Sequence, residues 1–390
     1  MKSIIRLLSL PLLLVSLLGC AKTNSASDFS SEAIETSLPK DVTISFNALE
    51  NINIYNEWQQ AYIDSDNYES TGVASGTIDW SRPLPIKLSW TINGLNKDEI
   101  SSYKLFVYED SKLIKEIDIA KDALEAEVTN FKKNITYRLL LKAYIGEEVV
   151  SEANSQLIVD QKGPRLMDVD GVENMRDLGG EGILQGLIYR SGRLSNDDGK
   201  DKISAAGKET MLKELAVKTE IDLRRYDETG GITVSPLGDS VTYEHLPMVY
   251  GGNNIATYKG TYQNNEYNNP AQINRFFTLL SDRNNYPIVF HCSIGKDRTG
   301  CLAYLLEGLL GMNEEHLYRD YLFSNFAEIG SICKISDING ANRYGQTIKS
   351  YEGENINEKI TNFLLSETIG LNQTTLNSVI NILKDTSYGK

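Results

Sequence analysis

A chain of 390 residues is long enough for about two domains. Its 41% hydrophobic and 24% charged residues give an ordinary globular composition, not a disordered or fibrous one. With 39 basic against 53 acidic side chains the net charge is −14, which argues against a broadly basic nucleic-acid-binding surface. The cysteines (Cys20, Cys292, Cys301, Cys333) are too few and scattered for a disulfide scaffold. The histidines (His245, His291, His316) are too few for a His-rich metal centre, so no metal or other cofactor is expected.

Lys2 and Arg6 open the chain, followed by the largely apolar run from Leu7 to Leu18. A bilayer-spanning helix needs ~20 apolar residues, so this shorter run reads as an export signal. It ends Leu17-Leu18-Gly19-Cys20, which resembles the bacterial lipobox. That resemblance implies cleavage before Cys20, lipid on Cys20, and an exported lipoprotein held to a membrane, facing the periplasm or the cell surface. Residues 1–19 are then the signal peptide. Residues 20–45, polar at their start, are expected to be a flexible tether.

Within a first domain read as 46–163, the pattern leans to period two from about residue 76 to 160. Ile86-Lys87-Leu88-Ser89-Trp90-Thr91-Ile92 alternates cleanly, and less regular runs cover 103–108, 113–119, 124–128, 137–144 and 156–159. Short strands at spacings near ten residues predict an antiparallel β-sandwich. Trp90 on the second strand, with Phe131 six residues before Tyr137, resembles the fibronectin type III module. The stretch 42–75 supplies either a first strand or an extension. Nothing in this region clusters chemistry, so a spacer or docking role is expected of it. Lys162-Gly163-Pro164-Arg165 breaks the strand pattern and sets the boundary of a second domain, 164–390.

Two stretches of that domain organise the rest. Val217–Leu223 reads as a strand ending in Asp222, and Ile288–Phe290 is a short apolar run suited to a strand buried on both faces. The second run leads through His291-Cys292-Ser293-Ile294-Gly295-Lys296-Asp297-Arg298-Thr299-Gly300 into the apolar helix Cys301–Leu310. A strand-to-helix turn aims backbone N–H groups and a helix dipole at one point. Ser293, Ile294, Gly295, Lys296, Asp297 and Arg298 can form a nest around phosphoryl oxygens, and Arg298 can grip two of them. At its base Cys292 would be held as thiolate, with Thr299 bonding the sulfur and His291 bracing the loop. Such a device suits attack by sulfur on phosphorus.

The string His-Cys-x-x-Gly-Lys-Asp-Arg-Thr-Gly resembles the phosphate loop of the cysteine-dependent protein tyrosine phosphatases. The Lys296-Asp297 pair resembles their bacterial tyrosine and dual-specificity subgroup. Asn174-Met175-Arg176-Asp177-Leu178-Gly179-Gly180, Tyr189-Arg190-Ser191-Gly192-Arg193-Leu194, Ile221-Asp222-Leu223-Arg224 and Asp320-Tyr321-Leu322-Phe323-Ser324-Asn325 follow the family's order. The resemblance implies an α/β domain with a mostly parallel central sheet flanked by helices, giving a multidomain chain with the sandwich first. It also implies hydrolysis through a phosphocysteine, with Cys292 as nucleophile and Arg298 as phosphate clamp. The substrate is then a phosphorylated protein or peptide or a small phosphomonoester, with inositol phosphates as the second choice. No Trp-Pro-Asp string supplies the usual acid. Asp297 comes first as candidate and Asp222 second, with Asp227 and Glu228 behind them. Asn174, Arg176 and Arg224, with Arg190 and Arg193, are candidates for a basic rim, because residues 165–390 hold 23 basic and 30 acidic groups, net −7, and do not attract anions globally. A rhodanese-like sulfurtransferase and a non-catalytic surface-binding lipoprotein are the rival readings.

Overall fold

The computed structural model describes residues 41–385, apart from 47–48, 50–51, 73–78 and 252–253. The signal, Cys20 and most of the expected tether therefore lie outside the described residues.

Alternation becomes strand through the first half: β1 Thr43–Phe46, β2 Ile86–Asn93, β3 Ser102–Glu109, β4 Lys112–Ala120, β5 Glu125–Val128, β6 Thr136–Ile145 and β7 Glu148–Ile158. They pair antiparallel as a three-stranded sheet, β1-β2-β5, and a four-stranded one, β4-β3-β6-β7. Ile86, Leu88 and Trp90 point inward from β2 while Lys87, Ser89 and Thr91 point out. The Trp90 ring meets Tyr103 of the other sheet edge-on at 5.4 Å, so the two inner faces share one core. Phe131 packs on Tyr137 at 4.9 Å, and the Tyr137 hydroxyl accepts the Lys132 N–H at 3.0 Å.

Two expected boundaries move here, and the stretch 42–75, left open, supplies a first strand. Strand β1 begins at Thr43, inside the segment read as tether, because Val42 and Ile44 are buried. Strand β7 starts at Glu148, well before Gln156, because its first half is exposed or half-buried and carries no alternation to read. The stretch left open also contains a helix, α1 Glu57–Asp64, closed at its start by a reciprocal Asn56–Gln59 capping box.

The second half is built on a six-stranded sheet. Its strands are β8 Arg165–Leu166, β9 Arg176–Asp177, β10 Ile188–Ser191, β11 Thr219–Asp222, β12 Thr242–His245 and, after a hairpin of β13 Lys259–Tyr262 and β14 Asn265–Asn268, β15 Ile288–His291. The order is β12-β11-β15-β10-β9-β8, parallel as far as β10 and antiparallel beyond it. Strands β10, β11 and β15 are buried along their whole lengths, as parallel strands covered on both faces must be. The helices are α2 Ala205–Glu209, α3 Asn269–Leu280, α4 Asp297–Leu309, α5 Glu314–Phe323, α6 Ile335–Asn339, α7 Tyr344–Lys349, α8 Ile356–Leu365 and α9 Gln373–Leu383. Helix α4 is apolar nearly all round because it runs through the core. On α9, where Leu376, Val379, Ile380 and Leu383 have the spacing that predicts an amphipathic closing helix, Leu376, Val379 and Leu383 are buried and Ile380 is half-buried.

The halves share an interior. Tyr62 of α1 lies 6.3 Å from Phe323 and 6.0 Å from Phe326, ring to ring. Arg165 donates to the Phe131 carbonyl at 2.9 Å and to Asp177 at 2.6 Å, with both charged side chains buried. Breaking one partner of such a pair costs about 3–5 kcal/mol, because the other charge is left in low dielectric.

Candidate active site

In register, Asp222 of β11 and Ser191 of β10 both lie beside His291, the last residue of the central strand β15. The chain therefore leaves the sheet at Cys292 between two flanking strands, in the crevice at the carboxyl ends where parallel sheets place ligands. It re-enters structure as α4, whose N-cap Lys296 makes no capping hydrogen bond with its side chain. The first amides of that helix are thus not capped by Lys296, at the positive end of a 13-residue helix.

The loop is held from behind, carbonyl by carbonyl. Asn174 Nδ2 donates to the Ile294 carbonyl at 3.0 Å, Arg190 Nη2 to that of Gly295 at 2.7 Å, and the Arg193 N–H to that of Ser293 at 3.2 Å. With carbonyls turned outward, the amides are free to face the centre. Gly295 has φ of +70°, and a Cβ there would lie 2.5 Å from the Ser191 carbonyl oxygen. Only glycine meets both conditions.

Cys292 is 2% exposed. Burial works against its thiolate, but the Arg298 charge and the neighbouring Thr299 hydroxyl and N–H outweigh it and hold the thiol below its ordinary range, the Thr299 hydroxyl having no hydrogen-bond partner of its own among the described residues. His291 is buried between acceptors: Nε2 to Glu220 at 2.9 Å and Nδ1 to the Cys292 carbonyl at 3.2 Å. Burial favours its neutral form; Asp222 and Glu220 overcome this and raise its pKa, consistent with an imidazolium that donates from both nitrogens. Glu220, Asp222 and His291 are close enough to resemble a metal-binding group. Their atoms are already committed, Glu220 also to Ser235 and Asp222 to Arg224, so the cluster is an ion-pair brace under the loop.

Arg298 is buried and makes a two-point ion pair with Glu228, through Nη1 to Oε2 and Nη2 to Oε1. Its Nη2 also reaches Ser293 Oγ at 3.2 Å, and its Cζ lies 4.3 Å from the centre of the Tyr250 ring. Its Nε is buried and has no partner among the described residues. Glu228 is fixed in turn by accepting the Arg225 N–H at 2.8 Å. Arg225 stacks 4.8 Å over Tyr262 of the β13–β14 hairpin. Sequence reading placed Glu228 among the weaker acids and missed this pairing. The signal was its position six residues after Asp222, at the end of a buried strand where a loop must cross the site.

Several expected site residues lie elsewhere. Asp222 is fully buried and accepts from the Arg224 N–H, Arg224 Nε and Nη2 and the Tyr243 hydroxyl. Burial would raise its pKa, but His291 and then Arg224 hold it well below the usual carboxylate range, so it carries no proton to give. Arg224 is consumed by Asp222 and Ser195, and Arg176 and Arg190 both pair with Asp320. These three arginines, with Asn174, are buried supports and not a rim. Arg193 stays at the surface, paired with Asp197.

Asp297 fits the acid's requirements better. Burial pushes its carboxyl above the ordinary range; Lys296 opposes and Asp337 adds to the rise. Lys296 is held by Asp337 at 3.2 Å and by the Ile332 carbonyl at 3.0 Å. A cavity of about 160 Å³ adjoins this pair, lined among others by Lys296, Asp297, Tyr250 and Arg343. A larger one of about 820 Å³ involves Lys133, Glu181, Glu307 and His316 and touches none of the loop residues. Cys301 and Cys333 are buried thiols whose pKa burial raises, that of Cys333 to about 12.

The tyrosine phosphatase family's sequence profile matches residues 167–389. A Cupriavidus necator protein, provisionally named a tyrosine-protein phosphatase, is 27% identical over 183 residues, which cover 42% of this chain and 64% of that protein. Among solved structures, the core catalytic domain of the PP-IP phosphatase Siw14 of S. cerevisiae with citrate aligns over 51% of this chain and 96% of its own. It does so at 17% identity and a TM-score of 0.30. A second structure of the Siw14 catalytic core aligns over 52% and 98%, at 16% and 0.29.

Proposed function

Because the chain belongs to the tyrosine phosphatase family, whose match spans more than half of it, we propose that this phosphatase works through a phosphocysteine at Cys292. The carrying observation is a buried Arg298 guanidinium beside a thiol of lowered pKa, its Nε unpartnered and its outer edge fixed by Glu228. An unsatisfied buried donor costs about 1–3 kcal/mol. A phosphoryl oxygen that reaches it removes that cost, and the loop amides take the remaining oxygens.

The reaction runs in two steps. The Cys292 thiolate forms a bond to phosphorus as the ester P–O bond breaks, and the leaving oxygen takes the electron pair and a proton from Asp297. Water then attacks the phosphocysteine, Asp297 accepts its proton, and the thiolate leaves. Arg298 and the amides of 293–298 hold the equatorial oxygens throughout.

Phosphotyrosine or a broad range of phosphomonoesters is the first substrate class. Inositol phosphates remain a second reading, favoured by Arg343. Its guanidinium has no ion pair among the described residues and borders the cavity beside Lys296 and Asp297. Hydrolysis of an aryl phosphate, blocked by vanadate, is the expected result for the full chain. The same assay on Arg343→Ala, against esters with and without a second phosphate, separates the classes. A loss confined to the doubly phosphorylated esters supports the second reading, and thiosulfate-to-cyanide transfer without ester hydrolysis would falsify both.

The first half is read as a fibronectin-like module on a lipid-anchored, exported protein. Membrane fractionation tests the anchor: Cys20→Ala is expected to release the protein, and unchanged membrane recovery rejects lipidation at Cys20.

A further inference from the structure

We infer that Ser81, which lies in the half of the chain read as a spacer, is a positioning residue of the phosphate loop. The inference rests on the phosphatase reading only in calling that loop catalytic. Ser81 is 5% exposed, and its Oγ accepts the Asn174 N–H at 3.0 Å while donating to Asp79 Oδ1 at 2.5 Å. Asn174 is the residue whose Nδ2 holds the Ile294 carbonyl. A two-residue relay therefore runs from the N-terminal half to the backbone of the turn that carries Cys292.

Asn174 has no slack. It is 2% exposed with φ of +53°, a left-handed conformation that asparagine tolerates better than most residues. Its Oδ1 accepts from Arg176 Nη1 at 2.7 Å, and its two Nδ2 hydrogens serve Ile294 and Ser324 Oγ. The remaining polar hydrogen is its N–H, and Ser81 takes it. Without Ser81 that N–H is buried with no acceptor, and the backbone must shift to find one. A shift there carries the Nδ2 contact, and so the Ile294 peptide, with it.

Ser81 is itself clamped from both halves. Gln59 Nε2 of α1 donates to the Trp80 carbonyl at 2.6 Å, the Trp80 N–H donates to the Phe326 carbonyl at 2.6 Å, and Arg82 reaches Asp168 at 3.3 Å and Asp170 at 3.4 Å. The anchor is therefore rigid, as a positioning group requires.

The test uses the full chain with Ser81→Ala, Ser81→Cys and Ser81→Thr. Two readouts are taken besides thermal stability: kcat on an aryl phosphate, and the pH midpoint of Cys292 alkylation by iodoacetamide. Burial raises the thiols of Cys301 and Cys333 while that of Cys292 is lowered, so with Cys20 replaced by Ser throughout, Cys292 dominates the alkylation near neutral pH. Ser81→Ala is expected to lower kcat about tenfold, by misplacing reacting groups with little change in KM, and to move the alkylation midpoint upward. Ser81→Cys, a weaker acceptor that adds a thiol and is therefore read by kcat alone, falls between, and Ser81→Thr restores both values. Wild-type kcat and midpoint in Ser81→Ala overturn the inference. So does a fall in kcat that tracks lost stability with the midpoint unmoved. If no variant and no wild-type protein hydrolyses any ester but the midpoint still shifts, the phosphatase reading fails and the positioning role stands.

Discussion

Cys292→Ser is expected to lose hydrolysis of every phosphate ester by about 10⁴-fold or more, the scale seen when a nucleophile is deleted, while binding of inorganic phosphate survives or tightens. The two halves of that expectation have different physical origins. Attack needs an anion at the base of the loop. Arg298 and the Thr299 donors can hold a thiolate there against burial, but a serine hydroxyl lies far above any pH at which they could ionise it. Binding draws on other atoms: the amides of the loop, the unpartnered Arg298 Nε, and the dipole of α4. Removing the thiolate also removes a negative charge that faces an incoming dianion, so affinity has no reason to fall. Isothermal titration with phosphate and a turnover assay on the same preparation check both parts. Undiminished hydrolysis by the serine variant sinks the phosphocysteine mechanism. Equal loss of binding and turnover assigns Cys292 a structural role instead.

The phosphate loop was legible because its chemistry is local. The seven residues proposed as nucleophile, nest and clamp, 292–298, run from the end of an apolar strand into the first turn of an apolar helix, and the fold places them at the end of β15. Strand β2 was legible for a similar reason, since one face of a sheet writes itself into alternate residues. Buried charge was not legible. Arg176 finds Asp320 across 144 positions and Arg298 finds Glu228 across 70, and no periodicity marks either pairing. An arginine in a polar stretch therefore looks like a rim or a solvated face, although here it is a strut. Ser81 escaped for the same reason. It lies 93 positions from Asn174, in a segment with neither strand nor helix pattern. The hairpin β13–β14 was missed because its residues are polar on both faces and short of apolar alternation.

Asp297→Asn is expected to remove the alkaline limb of the pH–rate profile and to lower kcat according to the leaving group. The loss should reach about 10²–10⁴-fold for an ester whose alcohol is a poor leaving group and be far smaller for a nitrophenyl ester, which departs without a proton. The sign of each limb follows from the groups involved. The nucleophile acts ionised, so activity rises as pH climbs through the lowered pKa of Cys292. The acid acts protonated, so activity falls as pH climbs through the raised pKa of Asp297. Asparagine cannot titrate, so that fall disappears. Through the acid limb Asp297 is still protonated and neutral, so its replacement by Asn leaves that limb in place. Asn retains an oxygen for the Tyr321 hydroxyl, which lies 3.5 Å from Asp297 Oδ1, so the local packing survives the change. Asp222→Asn is the contrast. Its carboxylate stays ionised under Arg224 and His291, so that variant should damage the brace and destabilise the protein without selectively erasing the alkaline limb. An alkaline limb that persists in Asp297→Asn and vanishes in Glu228→Gln transfers the proton to the residue that holds Arg298.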